Sequence, residues 1–90
     1  MDFRQELIGA LSNSASGLRM PQFDFKRHRD GSVGGFLISP SFNGKPQLDR
    51  QKMVWDYLEG IFPKEKTRKI ELLITLTPDE AADEEEDEDA

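Results

Sequence analysis

The chain has 90 residues, enough for one domain and too few for two. It contains no cysteine, which excludes a disulfide scaffold, a thiolate zinc site and a cysteine nucleophile. Its net charge of −6 is unevenly distributed. Residues 79–90 carry nine acids and no base, whereas the other nine acids face all twelve Lys and Arg and leave the rest of the chain at +3. The overall charge therefore says little about what the folded part binds.

The start of the sequence lacks the basic and apolar regions of a signal peptide. No apolar run approaches the roughly 18 residues that a membrane span requires. We therefore expect a cytoplasmic protein that makes no membrane contact.

A helix is predicted from the first residues to about Leu11 or Ser12. Asp2 is a suitable N-cap, with Gln5 three residues further on. The spacing of the apolar residues places four of them on one face: Phe3, Leu7, Ile8 and Leu11. The polar segment 12–17, which ends in glycine, should terminate the helix.

Two strands are predicted next, joined as a hairpin. From Gln22 to about Arg29 the pattern has period two, with Phe23 and Phe25 on one side and charged residues between them. The glycine-rich segment 30–35 is suited to a hairpin loop. The returning strand covers residues 36–39 and ends at Pro40, which cannot donate to a ladder.

The longest helical pattern follows. Asp49 is the predicted N-cap, and Pro63 prevents the helix from continuing. Five residues are expected on its buried face: Met53, Val54, Tyr57, Leu58 and Ile61. Trp55 lies about 100° from that stripe and is interpreted as a residue at the edge of the core, with an exposed interface anchor as the alternative.

The last strand should cover residues 70–76. Ile70, Leu72, Ile74 and Leu76 are predicted to share one face, and Pro78 should end the domain. The acidic residues 79–90 repel one another and offer little apolar surface, so a disordered tail is expected there. The domain is therefore predicted to cover residues 1–78.

The predicted order is helix, strand, strand, helix, strand, an α+β fold. The helix between the second and third strands makes those two strands parallel, with a right-handed crossover. We expect a three-stranded mixed sheet with the helices packed on one face. The order of the strands in the sheet is left open.

The segment between Gly35 and Pro78 resembles the BolA-like family, whose α+β fold is related to type II KH domains. Family members carry an aromatic-x-Gly-Lys turn after the second strand, followed by apolar, basic and Val-aromatic positions on the helix. The matching positions here are Phe42-Asn43-Gly44-Lys45, Leu48, Arg50, Val54-Trp55 and Leu58, with Thr77-Pro78 after the last strand.

Two family histidines are missing from this chain. Gln51 stands where the family often has histidine after the helix arginine. Lys69, Ile70 and Glu71 stand where the resemblance implies a histidine that ligates an iron–sulfur cluster shared with a monothiol glutaredoxin. His28 is the single imidazole and the one candidate for cofactor binding, although a lone histidine makes a poor metal site.

The resemblance implies a small non-catalytic interaction or regulatory protein with a protein partner such as a monothiol glutaredoxin. No enzyme, catalytic residue, metal site or cofactor is predicted. The expected partner surface combines the turn before the helix, the start of the helix and the start of the last strand. Its residues are Phe42, Gly44, Lys45, Arg50, Lys69 and Glu71.

The alternative is a KH-like protein that binds nucleic acid. Basic side chains that neutralise phosphates would carry it, and the candidates are Lys26, Arg27, Arg29, Lys66, Arg68 and Lys69. Gly31-Ser32-Val33-Gly34 matches the Gly-x-x-Gly loop that clamps a nucleic-acid backbone. The predicted strands on either side favour a hairpin turn instead.

Overall fold

A computed structural model gives the structure of residues 2–88. The helices and strands follow one another along the chain as α1 (Phe3–Ser12), β1 (Gln22–Arg27), β2 (Val33–Ile38), α2 (Gln47–Ile61), α3 (Lys64–Thr67), β3 (Ile70–Leu76) and α4 (Pro78–Glu88). Single 3₁₀ turns occur at Ser14–Ser16 and Pro40–Phe42. Among the described residues, no helix is long and apolar enough to cross a membrane.

The three strands form one mixed sheet in the order β1-β2-β3. β1 runs antiparallel to β2, with Gln22 opposite Ile38 and Arg27 opposite Val33. β2 runs parallel to β3, with Phe36 opposite Ile74. These pairings confirm the predicted fold class and the parallel pairing of the second and third strands, and they place β2 in the centre of the sheet.

Helix α1 begins as the sequence predicts. The Asp2 carboxylate accepts a hydrogen bond from the Gln5 N–H at 2.9 Å. Phe3, Leu7 and Leu11 are buried along one side of the helix. Capping and the apolar stripe therefore both contribute to docking α1 on the sheet.

Helix α2 begins three residues earlier than predicted. Pro46 is the N-cap, with φ near −61°, and Asp49 lies in the first turn, where a carboxylate favours the positive end of the helix dipole. The buried stripe consists of Arg50, Val54 and Leu58, four residues apart. The prediction that Ile61 joins this stripe is wrong.

Phe62 occupies the place that was expected for Ile61. It follows Leu58 at the same spacing of four, and its ring meets Phe3 edge to face with 5.7 Å between centroids. Ile61 is consequently half exposed.

Strand β3 also differs from the prediction. Val33 pairs with Ile70 and Gly34 with Leu72, so Glu71 is an extra residue that interrupts the register. A bulge of this kind reverses the alternation of the residues that follow. Ile70 therefore lies on the same face as Leu73 and Thr75, and not with Leu72, Ile74 and Leu76.

The sheet has one covered face and one open face. The covered face carries buried side chains that pack against α1 and α2: Phe25, Val33, Leu37, Ile70, Leu73 and Thr75. The open face follows from the register of the strands and carries Asp24, Lys26, Gly34, Phe36, Ile38, Leu72, Ile74 and Leu76. The prediction that the helices pack on one face is confirmed.

The acidic segment forms a helix where the sequence led us to expect disorder. The Thr77 hydroxyl accepts from the Glu80 N–H at 3.2 Å, while the Glu80 carboxylate accepts from the Thr77 N–H at 2.9 Å. This reciprocal capping box, with Pro78 at the first helical position, starts α4. Residues 89–90 of the predicted tail lie outside the described residues.

Candidate functional site

The turn between β1 and β2 is held by hydrogen bonds of its own. The His28 N–H donates to the Ser32 carbonyl at 2.8 Å, and the Gly31 N–H donates to the His28 carbonyl at 3.0 Å. Gly31 adopts φ near 88°, which glycine tolerates better than other residues. The turn thus joins two strands and not two helices, but it is shorter than the predicted loop over residues 30–35, because β2 already begins at Val33.

This turn meets the start of β3. The His28 Nε2 lies 3.1 Å from the Glu71 Oε2, and the Ser32 hydroxyl oxygen lies 3.4 Å from the same carboxylate oxygen. The bulge at Glu71 lets this side chain face His28 across the sheet end. We call His28, Asp30, Ser32 and Glu71 the hairpin cluster.

Asp30 completes the cluster from the turn itself. It accepts from the Ser32 hydroxyl at 2.7 Å and from the Ser32 N–H at 3.0 Å. These hydrogen bonds lower the pKa of the Asp30 carboxyl, and the nearby His28 acts in the same direction. The ionised form of Asp30 therefore stabilises the turn, because its carboxylate accepts both hydrogen bonds from Ser32.

The hairpin cluster does not form a metal centre. Within residues 2–88, no three His, Cys, Asp or Glu side chains are placed to hold a metal ion together. Of the three positions that stand for the family histidine, Ile70 is buried and Lys69 and Glu71 are poor ligands for an iron–sulfur cluster. The donor set therefore does not fit a cluster.

A cleft of about 490 Å³ extends from the hairpin cluster onto the open face. Its lining includes Lys26, Gly34, Phe36, Leu72 and Ile74. Gly34 lines it at a position with little room for a side chain, because a Cβ there would lie 3.2 Å from the Leu72 carbonyl oxygen. The cleft thus has apolar walls and a charged end.

The structure divides the predicted partner surface into two parts. Because β2 and β3 are parallel, the turn that follows β2 lies at the opposite sheet end from the start of β3. Gly44 and Lys45 are exposed at the first end, and Lys69 and Glu71 are exposed at the second. One strand of six residues separates them, about 15–20 Å.

Two residues of the predicted surface are not accessible. Phe42 is fully buried in the core, and Arg50 is only 6% exposed. The pattern Phe-x-Gly-Lys correctly placed a turn here, but it did not reveal that the aromatic ring points inward. The side chains of Phe42 and Arg50 are therefore removed from the partner surface.

Arg50 links four parts of the chain. Its Nε donates to the Lys45 carbonyl at 2.7 Å, and its Nη1 donates to the Thr75 carbonyl at 3.3 Å. Its two Nη atoms reach the Glu80 carboxylate at 2.7 and 3.3 Å, and the guanidinium lies 5.9 Å from the centroid of the Phe42 ring. Arg50, together with the Thr77 N–H, lowers the pKa of Glu80.

The outer edge of β3 is covered by side chains from α2. Gln47 Nε2 donates to the Thr75 carbonyl at 2.8 Å, and Gln51 Nε2 donates to the Leu73 carbonyl at 2.9 Å. We call Gln47, Arg50 and Gln51 the edge cap. No sequence signal beyond the amphipathic pattern indicates it, because glutamine at a helix surface is ordinarily solvated.

Gln51 also accounts for Trp55. The indole Nε1 donates to the Gln51 Oε1 at 3.1 Å, and the ring packs half-buried against the core. This placement agrees with the interpretation of Trp55 as a residue at the edge of the core.

The six predicted nucleic-acid contacts fall into two groups. Lys66 is paired with Glu6 at 2.5 Å, and Arg27 lies 3.9 Å from Asp2. The other four are exposed near the hairpin end of the sheet and take no part in the ion pairs found within residues 2–88: Lys26, Arg29, Arg68 and Lys69. Acidic members of the hairpin cluster lie among them and reduce the local positive potential.

Comparisons with protein-family models, with curated proteins and with solved structures found no match to this chain. The residues and their geometry therefore carry the functional argument.

Proposed function

We propose that this chain is a small, non-catalytic, BolA-like binding module that docks a protein partner at the hairpin end of the sheet. A monothiol glutaredoxin is the partner class that the resemblance implies. The docking surface comprises the hairpin cluster and Lys69.

The contact between His28 and Glu71, 3.1 Å long, carries this proposal. In the BolA-like family the partner-facing positions are the start of the last strand and, in some members, the loop between the first two strands. Here those two segments are in contact, so a partner that binds one segment also contacts the other. The exposed side chains of Lys69, Glu71 and His28 provide an ammonium group, a carboxylate and an imidazole as polar contacts.

Partner binding here relies on surface contacts and not on a shared cluster. A cluster ligand must be a thiolate or an imidazole, and His28 is the single such residue. We therefore expect the chain alone to hold no stable cluster, and to bind apo and cluster-loaded glutaredoxin with nearly equal affinity.

The direct test is a titration of the ¹⁵N-labelled chain with apo monothiol glutaredoxin, followed by NMR. We expect shifts at residues 28–32 and 69–71, and weaker binding of Lys69→Ala and Glu71→Ala. Lys52→Ala, on the exposed side of α2, is the matched control. Shifts that are absent, or confined to α4, contradict the proposal. Weaker binding in Lys45→Ala alone would place the docking surface at the other end of the sheet.

Visible circular dichroism of the chain mixed with cluster-loaded glutaredoxin tests whether this chain supplies a ligand to the iron–sulfur cluster. We expect the glutaredoxin spectrum to remain unchanged. A new cluster spectrum that disappears in His28→Ala would make His28 a ligand and overturn this part of the proposal.

Nucleic-acid binding is the second candidate function, favoured by the four exposed cations at the same sheet end. Phosphate contacts of this kind release counterions, so affinity for short single strands must fall as salt rises. Lys26→Ala combined with Arg29→Ala should then weaken binding of all sequences alike. Binding that is absent, or that does not depend on salt, excludes this function.

A further inference from the structure

The open face of the sheet is apolar along its two parallel strands. β2 contributes Phe36 and Ile38, and β3 contributes Leu72, Ile74 and Leu76. Leu72 is 57% exposed although it lies in a strand, and Phe36 and Ile74 line the open cleft beside it. Helices α1 and α2 bury their apolar stripes on the covered face, away from this surface. Apolar patches of this kind mark interaction sites.

We infer that the open face is a self-complementary surface on which a second copy of this chain docks. The register of the face and the placement of its charges carry this inference. Leu72 is exposed on β3, and its partner in the register is Gly34 on β2, which has no side chain. Both residues line the open cleft together with Lys26 and Glu71, which provide one charge of each sign.

A twofold axis parallel to the strands, between β2 and β3, uses both features at once. Rotation about that axis sets β2 of each copy against β3 of the second copy. Leu72 then packs over Gly34 of the second copy, and the reciprocal contact forms by symmetry, as an isologous interface requires. Phe36 and Ile74 are also register partners, so Phe36 of each copy packs against Ile74 of the second copy in the same way.

The charged residues fit the same arrangement. The rotation carries Glu71 from β3 to the side of the second copy where β1 lies, next to Lys26. Each copy thus offers a carboxylate to the ammonium group of the other. Asp24 and Lys26 lie outside the apolar strip on β1, so the interface has an apolar centre and a polar rim.

The size of the face sets the expected strength. Strands of six to seven residues extend about 20 Å, and two neighbouring strands cover a width of about 10 Å. This patch is smaller than the roughly 800 Å² per partner of a stable complex. We expect a reversible dimer with a dissociation constant on the order of 100 µM. This inference does not depend on the proposed function.

Sedimentation velocity of the full chain, from about 10 µM to about 1 mM, tests the dimer. The average mass of the wild type should rise from one chain toward two. Leu72→Lys should stay at the mass of one chain throughout. Leu48→Lys is the matched control, because Leu48 is a leucine that is 78% exposed on α2, away from the open face. Circular dichroism confirms that both variants are folded.

Each other outcome overturns the inference. A wild type with the mass of one chain at every concentration shows that a second copy does not cover this face, and its occupant is then a different protein. A dimer that persists in Leu72→Lys shows that the copies meet elsewhere.

Charge exchange between the two rim positions tests the geometry. Lys26→Glu and Glu71→Lys should each raise the dissociation constant several-fold, because each places like charges together. The double variant should restore the wild-type value, since the pair is rebuilt with its signs exchanged. Additive weakening in the double variant contradicts the proposed twofold axis, whatever the effect of either change on the fold of one copy.

Discussion

Along β3, the open face of the sheet is more apolar than the covered face, the reverse of what burial would predict. The open face carries Leu72, Ile74 and Leu76, whereas the covered face carries Leu73 and Thr75 beyond the bulge. Thr75 is buried because its hydroxyl is satisfied: it donates to Gln47 Oε1 at 2.7 Å and accepts from Gln51 Nε2 at 3.3 Å. Coverage is therefore decided by the helices and their hydrogen bonds, and not by which face of a strand is more apolar.

The largest effect is expected from Leu58→Asp. Leu58 is fully buried on α2, where a carboxylate would lose hydration without gaining a partner. We expect loss of the cooperative thermal transition, measured by circular dichroism. Asp56→Ala, on the exposed side of the same helix, should melt like the wild type. If both variants melt alike, α2 faces the sheet differently.

A pair of leucines on opposite faces compares the two faces directly. Leu37→Ala leaves a cavity on the covered face and should reduce the free energy of unfolding by about 2–5 kcal/mol. Leu72→Ala, on the open face, should change it by less than about 0.5 kcal/mol at low concentration. Urea denaturation measures both values. Equal losses would mean that the open face is covered within one copy.

The hydrogen bonds of Thr75 predict an intermediate effect. Thr75→Val keeps the shape but leaves Gln47 without a donor, and this should reduce the free energy of unfolding by about 1–3 kcal/mol. Thr75→Ser retains the hydroxyl and should recover part of that loss. A serine variant less stable than the valine variant would show that the methyl group matters more than the hydrogen bonds.

An effect smaller than those at Leu37 and Thr75 is expected at Glu80, whose carboxylate binds Arg50 and so holds α4 against α2. The folded pKa of Glu80 lies below its ordinary value of 4.5, chiefly because of the hydrogen bond from Arg50. Its ionised form therefore stabilises the fold above pH 4.5, and this contribution is lost as the pH falls through the lowered folded value.

Glu80→Gln keeps an N3 residue that can cap the helix but removes the charge. We expect a loss of at most about 1 kcal/mol at neutral pH, since the Glu80 side chain is partly exposed. The melting temperatures of variant and wild type should converge in acid. A difference that persists well below pH 4.5 would assign the loss to packing.

The sequence predicted the fold class because its signals were local. The apolar stripe of α1, the alternation around Phe25 and the glycine turn each specify one element, and the order of the elements determines the crossover. A further local signal, Thr77-Pro78 with Glu80 three positions on from Thr77, was present but outweighed by the charge of the acidic segment. That signal starts α4.

The remaining features depend on contacts between distant residues. The bulge at Glu71 arises from pairing with β2, and period-two alternation within β3 gives no sign of it. The meeting of His28 with Glu71 follows from that bulge. Likewise, Arg50 appeared to be a surface residue because its partners, Thr75 and Glu80, lie 25 and 30 positions away.

The edge cap limits how large an assembly of this chain can become. An uncovered edge strand offers its backbone groups to further chains and permits sheets to extend into fibrils. Here Gln47, Arg50 and Gln51 occupy the outward carbonyls of Leu73 and Thr75, so those acceptors are taken before another strand arrives. The dimer inferred above uses a face instead, where a twofold contact is complete with two copies. Light scattering from a concentrated solution should therefore level off with time, whereas growth along the β3 edge would make it climb.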